Sequence, residues 1–235
     1  DLYGKRCLAE LLEKLCRING LEWIRLHYAY PTDFPQEVID VMAREPKICK
    51  YLDIPLQHIS DNQLSLMHRR HTKAEALDLL ARLRSAMPQM AIRTTLLVGY
   101  PNESAEDFAE LCDFVREQRF DRLGVFPYSA EEGTFSAEKL TDNVPERVKE
   151  FRAEEIMRIQ NPISLENNRR RIGAIERVIV DGRQGDYYVA RSQYDSPEVD
   201  EEILISAATK RLFRGRFYTV RITDADDYDL YAEII

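Results

Sequence analysis

The chain is poor in cysteine. It has four, Cys7, Cys16, Cys49 and Cys112, scattered over 235 residues, which argues against a secreted disulfide scaffold and fits reduced thiols in a cytoplasmic protein. Free cysteine is commonly buried, so each is expected to be an inert core thiol. No run of 18 apolar residues occurs, so a helical membrane span is not expected, and no signal peptide is visible. There is no net positive charge either. With 33 basic and 41 acidic residues the formal charge is −8, which excludes a surface that grips nucleic acid all over, since that binding comes from neutralising many phosphates. A local patch stays possible.

What is present is a repeating strand–helix pattern. Residues 23–29, 51–56, 92–98 and 123–127 are short and rich in β-branched, aromatic or leucine side chains, and each adjoins a stretch with apolar residues every three or four positions. Leu8, Leu11, Leu12 and Leu15 form one stripe, with Gly20 just beyond as a left-handed cap. Thr72 with Glu75 and Ser104 with Asp107 have capping-box spacing, each ahead of a helical apolar run. Four strands are too few for a closed eight-stranded barrel and leave an edge bare. Because the chain opens on Asp1, not on methionine, residues upstream are expected.

After a charged stretch at 145–171 the pattern changes to strand, turn, strand. Asp181-Gly182 and Gly185-Asp186 supply turn chemistry, and about five short antiparallel strands suggest a small barrel of the oligonucleotide-binding type. The expected fold class is therefore α/β, a partial (β/α) barrel over residues 1–167 followed by an antiparallel β-barrel over 168–235.

The richest run is YLDIPLQHISDNQLSLMHRR, residues 51–70. It places Gln57, His58 and Ser60 at the carboxyl end of a strand, where α/β folds collect ligands. Asp53, inside an apolar strand, needs a partner or a cavity. His68 and His71 share a helix face but lack further ligands, so no metal site is expected there. Glu103, Glu106 and Asp107 complement a helix dipole. In the terminal domain Lys210, Arg211, Arg214 and Arg216 alternate with Phe213, Phe217 and Tyr218, either a phosphate-and-base patch or a solvated strand and turn. Two acidic clusters, Asp195, Glu198, Asp200, Glu201 and Glu202, then Asp224, Asp226, Asp227 and Asp229, would form a rim that repels RNA and attracts a basic protein.

The blocks LDIPLQHISDNQLSLMHRR, TTLLVGYPNESAEDF and VFPYSAEEGT, followed by a terminal β domain, resemble the radical S-adenosylmethionine (SAM) methylthiotransferases. DLYG, PKICKYLDIPLQHISD and SPEVDEEILI are most similar to the RimO-type branch, which modifies an aspartate of a small-subunit ribosomal protein; the tRNA-modifying branch is next. The resemblance implies SAM and two [4Fe-4S] clusters as cofactors of the complete protein, and a TRAM domain that recognises substrate. It implies as partner a basic small-subunit ribosomal protein or the ribosome, with possible local RNA contact. The family's cluster-binding CxxxCxxC is missing: no two cysteines here have two or three residues between them. A cluster needs converging thiolates, so this stretch is expected to be inactive by itself. A noncatalytic RNA- or ribosome-binding module is the other reading.

By the same resemblance, Gln57, Ser60, Gly99, Tyr100, Pro101, Phe126 and Tyr128 would line the SAM cavity. Gly99-Tyr100-Pro101 could equally be a turn, and Phe126 core. Arg69, Asp195, Glu198, Asp200, Arg214 and Arg216 are the candidate substrate contacts, Arg69 pairing with a carboxylate or lying solvated on the surface. His58 is either an acid–base group or a histidine that holds a pocket by hydrogen bonds.

Overall fold

Alternating sides of the parallel strands meet different neighbours, and this organises the first domain. The computed structural model describes residues 3–208 and 210–235, so the first two residues of DLYG lie outside the described residues. The order is α1 (Leu8–Cys16), β1 (Ile24–Leu26), α2 (Gln36–Arg44), β2 (Ile48–Asp53), α3 (Asp61–Leu66), α4 (Lys73–Ala86), β3 (Ala91–Val98), α5 (Ala105–Gln118), β4 (Arg122–Pro127), α6 (Phe135–Lys139) and α7 (Glu146–Arg169). The four strands form one parallel sheet in sequence order. Ile48, Leu52, Ile92, Leu96 and Val98 face the helices, packing with Val38, Met42, Leu79, Leu83, Leu111 and Val115. On the other face Cys49, Tyr51 and Ala91 pack with Trp23 and Tyr194.

Three local expectations change. β2 starts earlier than expected and ends at Asp53, because Pro55 cannot donate to the ladder; the chain then rejoins β3 where the Gln57 N–H donates to Thr95 O at 2.9 Å. The α1 stripe is not a buried stripe: Leu12 is 1 % exposed, but Leu8 is 40 % and Leu11 50 %. Helix α2 was not expected, although Val38, Val41 and Met42 have helical spacing and are buried. Both capping boxes form, each with its side chain accepting from the N3 amide.

β5 (Ile175–Gln184), β6 (Tyr187–Arg191), β7 (Ile203–Ser206), β8 (Phe217–Ala225) and β9 (Leu230–Ile234) close into a barrel in the order β5-β6-β7-β9-β8. Val178, Val180, Ile203, Ile205, Val220, Ile222 and Leu230 fill it. The strands are not all antiparallel, since β7 and β9 run parallel. Gly185-Asp186 is the β5–β6 turn, with Gly185 at φ +57°. Asp181-Gly182 is no turn: it lies within β5 at a shift of register.

The two domains meet through buried charge. Asp195, fully buried, accepts from Arg122 Nη2 at 2.9 Å, Arg171 Nη1 at 3.1 Å, Ser192 Oγ at 2.6 Å and Ser192 N at 3.1 Å. Arg93 bridges Asp53 at 3.2 Å and Asp200 at 3.3 Å; Arg171 also holds Glu176 at 2.8 Å. Trp23 meets Phe217 edge to face at 4.9 Å. Asp195 and Asp200 thus lie inside the seam, not on the expected open rim, because the arginines that claim them come from distant strands and helices.

Burial pushes Asp195 up, but Arg171 and Arg122 outweigh it and hold the carboxyl far below its usual range. Glu201 also touches Arg122, yet burial raises it to about 8. Asp195→Asn, which takes the shared carboxylate from two buried arginines and leaves Arg171 only Glu176 and Arg122 only Glu201, should therefore cost about 3–5 kcal/mol in urea unfolding at pH 7, while Glu201→Gln should leave stability unchanged or higher. Equal losses in the two variants would show that Asp195 is not the residue that holds the seam.

Candidate functional site at the carboxyl edge of the parallel sheet

The loops leaving β1, β2, β3 and β4 share one edge of the sheet. Tight backbone recurs there: Tyr28, Gln57 and Asn102 take φ of +55°, +69° and +65°, and Gly99 takes +72°, a region that non-glycine residues seldom adopt. The ladder fixes Gln57, with Leu97 N donating back to its carbonyl at 2.7 Å. Phe126 pairs in register with Leu97 and is 58 % exposed, so it is not core. Its neighbours Leu123 and Val125 pack on the helical side, which puts Phe126 on the opposite, open face.

Behind this edge the polar groups are engaged with one another. His58 is fully buried; its Nδ1 accepts from Ser60 N at 3.0 Å, so Nε2 carries the proton and faces Glu103 Oε1 at 3.4 Å. Glu103 accepts in turn from Gly99 N and pairs with Arg152 at 3.1 Å. His58 therefore holds a turn. Ser60 is 3 % exposed and donates its hydroxyl to Asp107, which corrects the expectation that this hydroxyl faces a ligand. Gly99 does allow a close approach, but of Lys149: a Cβ on Gly99 would lie 2.8 Å from Lys149 Cβ and closer to Cγ.

Tyr100 and Tyr128 are buried and meet at 5.0 Å, with Lys149 Nζ 5.2 Å from the Tyr128 ring. Pro101 is buried beside Asn102, whose side chain joins that of Asn143 at 2.9 Å. These aromatics and Pro101 form a wall behind the edge. Arg69 is half-buried with its guanidinium 5.7 Å from the Tyr30 ring. The open edge thus offers an aromatic face, an amide and a guanidinium, a set suited to binding a nucleoside or a carboxylate and unsuited to acid–base work.

The candidate substrate residues divide. Asp195 and Asp200 belong to the seam, Glu198 and Arg214 line one recess with Asp200, and Arg214 and Arg216 are exposed on the turn before β8 near Phe213, itself 55 % exposed. Reading the sequence missed Arg152 and Lys149, which come from the charged helix α7 and carry no local signal. His71, read in the sequence only beside His68, is 3 % exposed with both ring nitrogens unpartnered, and burial pushes its pKa down.

The four cysteines do not converge. Cys49 and Cys112 are buried and Cys7 and Cys16 half-buried, and burial raises the Cys112 thiol to about 11. Among the described residues no three His, Cys, Asp or Glu are grouped to hold a metal ion. These residues do not fit an iron–sulfur cluster.

Residues 5–115 match the model of the radical SAM superfamily and residues 172–235 that of the TRAM domain. The chain is 54 % identical over 99 % of its length to the ribosomal protein uS12 methylthiotransferase RimO of Christiangramia forsetii, covering 52 % of that protein. It is 51 % identical over its whole length to that of Bacteroides thetaiotaomicron, covering 54 %. Along its whole length the chain is thus similar to radical SAM methylthiotransferases. It spans about half the length of the curated relatives it matches. Among solved structures, coproporphyrinogen III oxidase (HemN) from Escherichia coli, described as a radical SAM enzyme, superposes with a TM-score of 0.50 at 21 % identity, covering 68 % of this chain and 36 % of that one. That likeness concerns the fold.

Within this fold the edge depends on Asp107. Burial pushes its carboxyl up, but hydrogen bonds from Ser60, Ser104 and Asn62 outweigh that and hold it down at about 2, against an ordinary 3.8. A depressed folded pKa stabilises above the unfolded value and is lost as pH falls toward the folded one. Acid unfolding should accordingly lose about 2 kcal/mol between pH 4 and pH 2 through this group, and Asp107→Asn should flatten that limb. Parallel acid limbs in variant and parent would contradict the assignment.

Proposed function

We propose that the chain is the carboxyl-terminal part of an enzyme that adds a methylthio group to an aspartate of a small-subunit ribosomal protein; its relatives are named as ribosomal protein uS12 methylthiotransferases. The observation that carries this is identity near 50 % running unbroken through both domains and the seam between them. Radical chemistry is supplied by SAM and [4Fe-4S] clusters when these are bound, and the cluster ligands lie outside this chain. Phe126 and Gln57 would hold the adenosine portion, an aromatic face and an amide at the open edge, with Leu97 beside them. Tyr100, Tyr128, Pro101 and Gly99 would support that edge from behind, Ser60 would fix the β2 loop through Asp107, and Arg69 would take a carboxylate of cofactor or substrate.

Glu198, Arg214 and Arg216 would contact substrate from the barrel side. The partner would be a basic ribosomal protein in the cytoplasm. Among the described residues no helix is long and apolar enough to cross a membrane. One feature favours a second reading, a tRNA substrate: Arg211 lies 5.2 Å from the exposed Phe213 ring, next to Arg214 and Arg216, an arrangement suited to phosphate and base.

The test joins this chain to its upstream half, reconstitutes the clusters anaerobically, and offers the ribosomal protein and tRNA together. A methylthio mass increase on an aspartate is the expected result. Modification of tRNA alone would overturn the reading in favour of the second, and this chain without its upstream half should show no cluster absorbance and no turnover.

A further inference from the structure

The open face of the parallel sheet carries a guanidinium whose donors are not all spent. Arg93 stands on this face of β3, and a guanidinium presents five N–H groups in a fixed plane. Its Nη1 donates to Asp53 at 3.2 Å and its Nε lies 3.3 Å from Asp200, so a carboxylate of the sheet and one of the barrel hold that plane from two sides. Nη2 has no hydrogen-bond or ion-pair partner among the described residues. The side chain is 19 % exposed and lines a cleft together with Gly124, so its free nitrogen can be reached from outside.

Gly124 is the second observation. It lies inside β4, in register with Thr95 of β3, where a glycine weakens a strand unless something approaches the backbone closely. A Cβ on Gly124 would lie 3.8 Å from Phe126 Cε2 and 4.0 Å from Arg93 Nη2. Both are ordinary contact distances, so there is room for a methyl group. One small group placed over Gly124 would therefore touch the aromatic ring and the guanidinium at once.

Charge on this face allows an anion there. Arg25, on the same face of β1, has no carboxylate partner among the described residues; it donates to Ser192 O at 3.0 Å, lies 5.3 Å from the Tyr51 ring, and its buried Nε is unpartnered. Arg25 and Arg93 thus balance Asp53 and Asp200 before any ligand arrives.

Resting on the ribosomal-protein reading, we infer that Arg93 Nη2 receives the carboxylate of the aspartate that is modified, with the short side chain of that aspartate lying over Gly124. A carboxylate taken into a cleft needs a charged donor, and this donor is already aimed. Phe126, which would hold adenosine, is two residues from Gly124 on β4, about 7 Å, so cofactor and aspartate would meet on neighbouring steps of one strand. Because Asp200 comes from the barrel, both domains orient the group that selects the substrate side chain.

The test joins this chain to its upstream half and compares three synthetic peptides of the ribosomal protein, carrying aspartate, asparagine or alanine at the modified position. The aspartate peptide should bind at least about tenfold more tightly than the asparagine one. Arg93→Lys keeps a cation for Asp53 and Asp200 but loses the fork, and should bring those two peptides within about threefold. Gly124→Ala leaves every ion pair in place; it should weaken the aspartate peptide about tenfold while the alanine peptide binds parent and variant alike, whereas a merely structural effect would weaken all three. Equal binding of the aspartate and asparagine peptides, binding of none, a preference that survives Arg93→Lys, or uniform weakening by Gly124→Ala would each overturn the inference. So would a loss of SAM binding in Arg93→Lys, read by equilibrium dialysis, with the peptide preference intact, since the guanidinium would then serve the cofactor's carboxylate. Those results leave the function reading standing if the assembled enzyme still modifies the ribosomal protein. Modification of tRNA alone would instead remove the reading on which the inference rests.

Discussion

Asp195 held between Arg122 and Arg171 is the contact on which the architecture depends. A lone carboxylate in that position would be untenable, and two buried guanidiniums without it would be worse. Because Arg122 opens β4, Arg171 follows α7 and Asp195 sits in the connection between β6 and β7, one carboxylate ties the sheet, the long helix and the barrel together. Arg93 repeats the device one strand inward through Asp53 and Asp200. The seam is therefore a layer of matched charge with aromatic contact at its margin, where Trp23 meets Phe217.

That layer positions the rest. Closing the seam brings Tyr194 over Cys49 and Tyr51, so one part of the sheet's open face is covered by the barrel while Phe126 is left accessible. It also leaves Glu198 of the same connection exposed. A single loop thus supplies both the acids that weld the domains and the acids that face outward. Which of them does which is decided by the reach of arginines on other elements.

Much of the fold was legible in the sequence. Strand–helix alternation, the capping boxes at Thr72 and Ser104, the change to short strands and the Gly185-Asp186 turn all rest on local patterns, and local patterns suffice for them. The site was legible only in outline. Gln57 stands at the sheet edge as strand-end reasoning expects, and Phe126, named only by resemblance, stands there too, but Ser60 turned inward because Asp107, 47 residues away, claims its hydroxyl. The acids at 195 and 200 read as a surface rim because nothing nearby in sequence reveals Arg93 or Arg122. Arg152 was invisible for the same reason, since its importance lies in burial and in partners, not in spacing.

The central claim is that the buried acid–arginine layer makes one cooperative body of two differently built domains. Native-state hydrogen exchange followed across a urea series measures this directly. The account predicts that the slowest amides of β5 and β8 in the barrel and of β2 and β3 in the sheet converge on a single opening free energy with a single urea dependence. Barrel amides that open at distinctly lower free energy, with the sheet still fully protected, would contradict it.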